Sequence, residues 1–225
     1  MHPVKRWYWD TMGGRVLKAL EKNRIPARYF PERGKAAQFV LEQIPQIAKV
    51  GIGGSVTIRE LGLIESLERR GNQVIHHWKP EGGHDEGGGR IESGGPGSGL
   101  AIRREALNSD VYLCSANAVT MDGKLVNIDG HGNRAASMIF GPGEVMIIAG
   151  MNKVVKDVPA AIERIKTVTA PMSARRGRAK VPCAETTECL DCDSPERACS
   201  VTTIIEKRPK GAKMMVILVG EELGF

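Results

Sequence analysis

Residues 49–67 read KVGIGGSVTIRELGLIESL, a short apolar strand, a glycine turn and an amphipathic helix in direct succession. Val50 and Ile52 suit a buried strand, Gly51, Gly53 and Gly54 allow a tight turn, and Ser55 is placed to cap the helix that follows. A strand running into a helix through small residues is the building unit of an α/β sheet. It also makes a place for an anion, because the first amides of a helix have no partner within the helix. The plainer alternative is that the glycines only make a tight turn. The stretch is neither the G-x-G-x-x-G of dinucleotide sites nor the G-x-x-x-x-G-K-[ST] of nucleotide triphosphate sites, so neither class is supported.

The flanking segments continue the alternation. Val4, Trp7, Met12, Val16, Leu17 and Leu20 recur near helical spacing over residues 4–22, and Ala37, Val40, Leu41 and Ile44 form one face of a second helix that Pro45 stops. After the organising motif, Gly71 closes a turn and residues 73–78, QVIHHW, read as a strand in which His76 and His77 are ordinary sheet residues before they are metal ligands. Residues 81–99 hold nine glycines and little to bury, which predicts a flexible insertion whose His84, Asp85 and Glu86 are weak metal candidates. Regular structure resumes with a helix near 103–107, a strand at 111–115 and a hairpin at 119–127 turning at Asp122-Gly123. This hairpin is expected to gather Asn117, Thr120, Asn127 and Asp129 at one sheet end. A helix starting at Asn133 to Ala135, a buried strand at 144–149, a helix at 157–169 and strands near 201–206 and 214–220 complete the pattern. A single α/β domain over residues 1–225 accounts for it.

The charge balance narrows the partners. The net charge is +6, but the bases are interleaved with acids apart from Arg175, Arg176, Arg178 and Lys180, and no aromatic residue stands among these, so a nucleic-acid surface is not expected. The arginine cluster suits a solvated loop or a small-anion clamp. No apolar run is long enough to span a bilayer. The opening MHPVKRWYWD lacks the apolar core of a secretory signal, so a cytoplasmic setting is expected.

Within that reducing setting the cysteines point to metal. Cys183, Cys189, Cys192 and Cys199 are spaced C-x5-C-x2-C-x6-C over residues 181–200, a proline-flanked polar loop. Four thiolates suit either a structural zinc or an iron-sulfur cluster, and the spacing matches neither a paired zinc ribbon nor a ferredoxin run. Cys114 lies apart in an apolar strand and reads as a core residue.

Taken together, GIGGSVTIRELGL (51–63), LNSDVYLCSANAVTMDGKLVNIDGHGNRAASMIFGP (107–142), IIAGMNKVVKDVPAAIERI (147–165), APMSARR (170–176) and the cysteine tail with TTIIEK resemble the lactate-utilisation (LUD) domain family. The resemblance implies an open Rossmann-like α/β sheet similar to sugar-phosphate isomerases and coenzyme A transferases, with ligands at the carboxyl ends of the strands and a C-terminal cysteine-rich loop. It also implies a part in lactate or related organic-acid oxidation beside iron-sulfur oxidoreductase subunits, and it favours [4Fe-4S] over zinc. No flavin or nicotinamide motif is visible, so hydride chemistry would belong to a partner. A stand-alone isomerase, transferase or hydrolase for a phosphorylated or coenzyme A-linked molecule is the alternative, a non-catalytic sensor a third reading, and a homo-oligomer is compatible with each.

On the same resemblance, an anionic ligand is expected against Gly53, Gly54, Ser55 and Thr57, with Asn117, Thr120, Asn133, Arg134, Asn152 and Lys153 around it and Glu60 or Asp129 as general base. Arg134 and Lys153 would balance the ligand's charge, so an alanine at Arg134 should abolish its binding. Asp129 and Asn133 have an equally good reading as turn residues. Ser173 departs from the pattern, since similar sequences tend to carry asparagine there.

Overall fold

The computed structural model describes residues 1–77 and 99–225. The chain runs α1 (Pro3–Lys22), β1 (Ala27–Phe30), α2 (Arg33–Gln43), β2 (Lys49–Ile52), α3 (Val56–Glu60), α4 (Leu63–Arg69), β3 (Gln73–Ile75), α5 (Gly99–Ala106), β4 (Val111–Cys114), β5 (Ala118–Thr120), β6 (Leu125–Asp129), α6 (Asn133–Ile139), β7 (Glu144–Gly150), β8 (Val154–Val155), α7 (Val158–Arg164), α8 (Ala170–Arg176), α9 (Cys183–Thr186), β9 (Val201–Ile205) and β10 (Met214–Val219). Among the described residues, one open parallel sheet has the order β1-β10-β7-β4-β2-β3, and a smaller sheet has the order β8-β5-β6-β9.

Strand alternation divides the interior into two layers. Tyr112, Cys114, Val145, Ile147, Val216 and Leu218 face α1, α5, α6 and the small sheet, where Val16, Leu20, Ala106, Met138, Val119 and Leu125 meet them. Val111, Leu113, Met146, Ile148, Ile217 and Val219 face the other way, onto Val40 of α2, Ile58 of α3 and Leu63 and Leu67 of α4. Both faces of the large sheet are therefore covered, as parallel strands require. The outer face of the small sheet buries Ala118, Val126 and Ile128 against Ala161 and Ile165.

In the organising motif, glycine is required by space. Gly51, Gly53 and Gly54 all keep ordinary backbone angles. A Cβ on Gly51 would come within 2.8 Å of the Ala106 carbonyl and 2.7 Å of Ser109 Oγ, so glycine lets the end of α5 lie against β2. A Cβ on Gly54 would meet the His77 ring at 3.0 Å. The true left-handed glycine is Gly62, whose φ of 62° splits the expected single helix into α3 and α4.

Other expectations are adjusted by the structure. The strand read at 73–78 ends at Ile75, with His76 and His77 beyond it and Trp78 outside the described residues. The glycine-rich stretch 81–99, with its weak metal candidates, also lies outside them except for Gly99, which opens α5. The edge strand β1 and the two-residue β8 carry too little periodicity to be read in advance. The helix expected over 157–169 begins at its Asp157 cap but widens into a π-helical turn at Ile165–Thr169 before continuing as α8.

Candidate functional site

Three neighbouring strands of the large sheet, β7, β4 and β2, carry the site just beyond their carboxyl ends. From β2 the chain passes to β3 on one side, and it then returns to β4 on the other. The crevice between β2 and β4 is thus the point where the winding reverses, the usual ligand position in open α/β sheets. Gly54, Ser55 and Thr57 follow β2, Ser115 and Asn117 follow β4, and Lys153 follows β7. Arg134 from α6 and Thr169, Ser173 and Arg176 from the π-turn and α8 close the sides of a pocket of about 40 Å³. Room on this scale suits a small carboxylate or one head group.

Lys153 is the pocket's most unusual residue. Its side chain is 2% exposed, and its Nζ donates to Thr57 Oγ1 and to Ser115 Oγ, each at 2.9 Å. Among the described residues no carboxylate stands within ion-pair distance of it. Burial, reinforced by the Arg164 and Arg134 guanidiniums, lowers its pKa to about 7, against a smaller opposing pull from Glu60. Arg164 adds positive charge while donating, among the described residues, to neutral oxygens: the Asn152 carbonyl at 3.1 Å, the Asn117 carbonyl at 2.9 Å and Thr169 Oγ1 at 2.7 Å. At the rim beyond Gly54, burial and then Arg103 and Arg176 pull His77 down to about 4, so it stands there as a neutral imidazole near neutral pH.

Arg134 is differently employed. It donates to Asp129 Oδ1 from Nε at 3.0 Å and from a terminal nitrogen at 2.6 Å, and to the Ser115 carbonyl, Asn117 Oδ1 and the Ile128 carbonyl at 2.8, 2.7 and 3.1 Å. It is a clamp joining the ends of β4 and β6 to α6, and it also lines the pocket. Asp129 spends its other oxygen on the Ala135 amide at 2.7 Å, and Glu60 accepts from the Gly224 amide at 2.8 Å. Neither expected general base lines the pocket.

The remaining expected residues divide similarly. Ser55 Oγ caps Ile58 of α3 at 3.4 Å, and the Gly53 amide is spent on the Leu113 carbonyl at 3.1 Å. Asn117 Oδ1 accepts from the Ile128 amide at 2.9 Å, which holds the base of the hairpin shut. Thr120 is not with this group: it sits at the turn end of the hairpin, where its Oγ1 accepts from the Lys124 amide at 2.9 Å. A hairpin puts the start of its first strand beside the end of its second, so Asn117 and Asp129 meet while Thr120 is carried away. Asn133 opens α6 outside the pocket lining, and Asn152 ties down the C-terminal tail by pairing with the Leu223 amide and Gly224 carbonyl, each at 3.1 Å. Ser115, Arg164, Thr169 and Phe225 were not marked in advance; only the position of Ser115 at the very end of the expected apolar strand could have drawn attention to it.

The cysteine loop lies beyond α8. All five cysteines are free thiols. Burial first, then the negative charge of Cys199, Cys192 and Cys189, raises the pKa of Cys183, so the other three lie within electrostatic reach of it. Arg197 fastens the loop by donating to the Cys192 carbonyl at 2.8 Å and to Asp191 at 2.6 Å. The donor set suits a four-sulfur centre in chemical kind. Among the described residues no three His, Cys, Asp or Glu side chains are drawn together as a metal site. Cys114 is sealed in the core, where burial pushes its thiol up to about 12.

The chain's resemblance to known proteins bears on these features. The model of the LUD domain family matches residues 14–219. A crystal structure of a DUF162 family protein from Deinococcus radiodurans shares the fold with a TM-score of 0.52 at 12% identity, over 94% of this chain and 98% of that one. No curated protein matches the chain. The family match takes in all the strands of both sheets and every pocket residue except Phe225, and on that extent the chain belongs to the LUD domain family.

Proposed function

We propose that the chain binds a small organic-acid anion in the strand-end pocket and serves lactate or related organic-acid utilisation, with redox chemistry supplied by partner iron-sulfur oxidoreductase subunits. The observation that carries this reading is Lys153, a buried amine that among the described residues has no carboxylate partner and stands beside an Arg164 donating to neutral oxygens. An uncompensated buried charge is costly, and an incoming carboxylate offsets that cost. The association of the LUD family with lactate utilisation supplies the substrate class. Cys183, Cys189, Cys192 and Cys199 are proposed to take up a [4Fe-4S] cluster, or alternatively zinc, only after the loop rearranges to bring the thiols together; the pocket's binding does not depend on it.

Calorimetry with L-lactate, run in buffers of different ionisation enthalpy, tests the reading. Binding is expected with proton uptake near pH 7.5, because the bound anion raises the pKa of Lys153. Absence of binding by L-lactate and other small carboxylates would overturn it. The poised amine also favours a second reading, a stand-alone isomerase, transferase or hydrolase, since a base with a pKa near the working pH is what proton transfer needs. Turnover by the purified chain alone would select that reading.

A further inference from the structure

We propose that Lys153 is an imine-forming residue: its Nζ, held between Thr57 and Ser115 in the strand-end pocket, condenses with the ketone of a small 2-oxo acid. This deepens the reading that the pocket holds an organic-acid anion and rests on it.

The hydrogen-bond directions around the amine carry the inference. Ser115 Oγ accepts from Nζ and turns its own hydrogen to the Ala116 carbonyl at 3.2 Å. Thr57 Oγ1 likewise accepts from Nζ and donates onward, to the Leu223 carbonyl at 3.3 Å or to Ser115 Oγ at 3.4 Å. Each hydroxyl thus has an oxygen of its own to donate to and can accept an N–H of the amine. Two tetrahedral positions of the nitrogen are taken by these hydroxyls and one by Cε, and Lys153 lines the pocket that a ligand would enter. With its hydrogen on the Ala116 carbonyl, Ser115 serves the amine as an acceptor; a serine activated by the lysine would instead turn that hydrogen to Nζ. The arrangement presents nitrogen itself.

The electrostatics agree with the geometry. A lysine retained only for structure is expected to pair with a carboxylate, but among the described residues the charged and titratable groups acting on Nζ are Arg164 of α7, Arg134 of α6, Glu60 of α3 and Cys114 of β4, with no carboxylate at ion-pair distance. Desolvation and neighbouring cations keep a useful fraction of the amine neutral near pH 7, the condition for nucleophilic attack. The same cations favour a substrate that carries its own negative charge beside the carbonyl. In the step itself, the Nζ lone pair forms a bond to the carbonyl carbon, the carbonyl oxygen leaves as water with the two amine hydrogens, and a C=N bond remains. Protonation of that nitrogen from solvent gives an iminium, so no oxidant or reductant is required.

The test treats the full chain with pyruvate and sodium borohydride, with L-lactate and borohydride in parallel, followed by intact mass measurement and peptide mapping. Hydride from borohydride reduces the C=N bond and fixes the adduct. One reduced pyruvyl group per chain, confined to Lys153 and absent with L-lactate, is expected. Lys153→Arg keeps the charge and should lose the adduct at least tenfold; the wild-type peptide map decides the site even if that variant folds poorly. No adduct, or adducts spread over exposed lysines without preference for Lys153, overturns the proposal. Calorimetry separates the two levels: pyruvate and L-lactate binding equally without an adduct overturns the imine and retains the anion site, whereas neither binding overturns both.

Discussion

Replacing Arg134 by methionine should unfold the protein more readily before it reveals anything about a ligand. Arg134 and Asp129 are only 12% and 11% exposed, and the guanidinium satisfies acceptors on Ser115, Asn117, Ile128 and Asp129. Methionine fills much of the volume but leaves the Asp129 carboxylate without a cation, removes the guanidinium from the Ser115 and Ile128 carbonyls, and leaves Asn117 Oδ1 with the Ile128 amide alone. Removing one partner of a buried pair costs about 3–5 kcal/mol. In a chain of this length each kcal/mol shifts the melting temperature by about 2–4 °C, so a fall on the order of 10 °C is expected by thermal or urea unfolding. Asp129→Asn in the same chain removes the stranded charge, so the double variant should recover about 1–3 kcal/mol relative to the sum of the single ones. A loss below about 1 kcal/mol for Arg134→Met, or additive single variants, would refute the clamp and return Arg134 to the role of a free ligand-binding cation. The expectation that an Arg134 substitution abolishes anion binding is thereby recast: lost binding is informative only in a variant shown to be folded.

Three further outcomes follow from the structure. Lys153→Met should flatten the stability profile on the alkaline side. With the folded pKa near 7 and an unfolded value of about 10.4, the unfolded chain binds more protons between those limits, so wild-type stability rises with pH across that window. Unfolding at pH 6, 8 and 10 should show the variant's advantage largest at pH 6 and shrinking towards pH 10, and a parallel pair of profiles would remove the amine's depression. Gly51→Ala should cost about 1–3 kcal/mol, because the added methyl meets the Ala106 carbonyl and Ser109 Oγ across the closest approach of α5 to β2; an unchanged urea midpoint would show that this approach is loose. Anaerobically purified protein should contain about four irons and four sulfides per chain if the cysteine loop closes around a cluster, and Cys192→Ser should lower that content. About one zinc per chain in colourless protein would replace the cluster with a structural metal, and neither metal would leave the four thiols free.

The open parallel sheet was legible because its central strands are short apolar runs separated by helical periods, and Val111 to Cys114, Glu144 to Gly150 and Met214 to Val219 lie where those runs are. The split into two sheets was not. Val119 and Val126 look like any half-buried strand residues, and whether a hairpin joins the large sheet or packs across its face depends on tertiary contacts that strand periodicity does not encode. Side-chain partnership was still less legible. Asp129 and Arg134 stand five residues apart as ordinary turn and helix-start residues, and only the folded hairpin shows that the pair locks three segments together.

Lys153 shows why a strand-end position is informative when a residue type alone is not. Its number places it just past β7, but its hydroxyl partners are distant in sequence, Thr57 beyond β2 and Ser115 beyond β4, and Arg164 of the next helix adds its charge. Parallel strands put all their carboxyl ends on one side, so short post-strand segments converge wherever neighbouring strands are not joined directly in the chain. Between β2 and β4 the connections lead away in opposite directions, leaving a crevice that no crossover fills. A lysine there can be desolvated by the sheet and its helices and still face a ligand. The same residue on an exposed helix would be a solvated cation with neither the depressed pKa nor the fixed hydroxyl partners, so in this chain it is the topology that turns an ordinary amine into a reactive one.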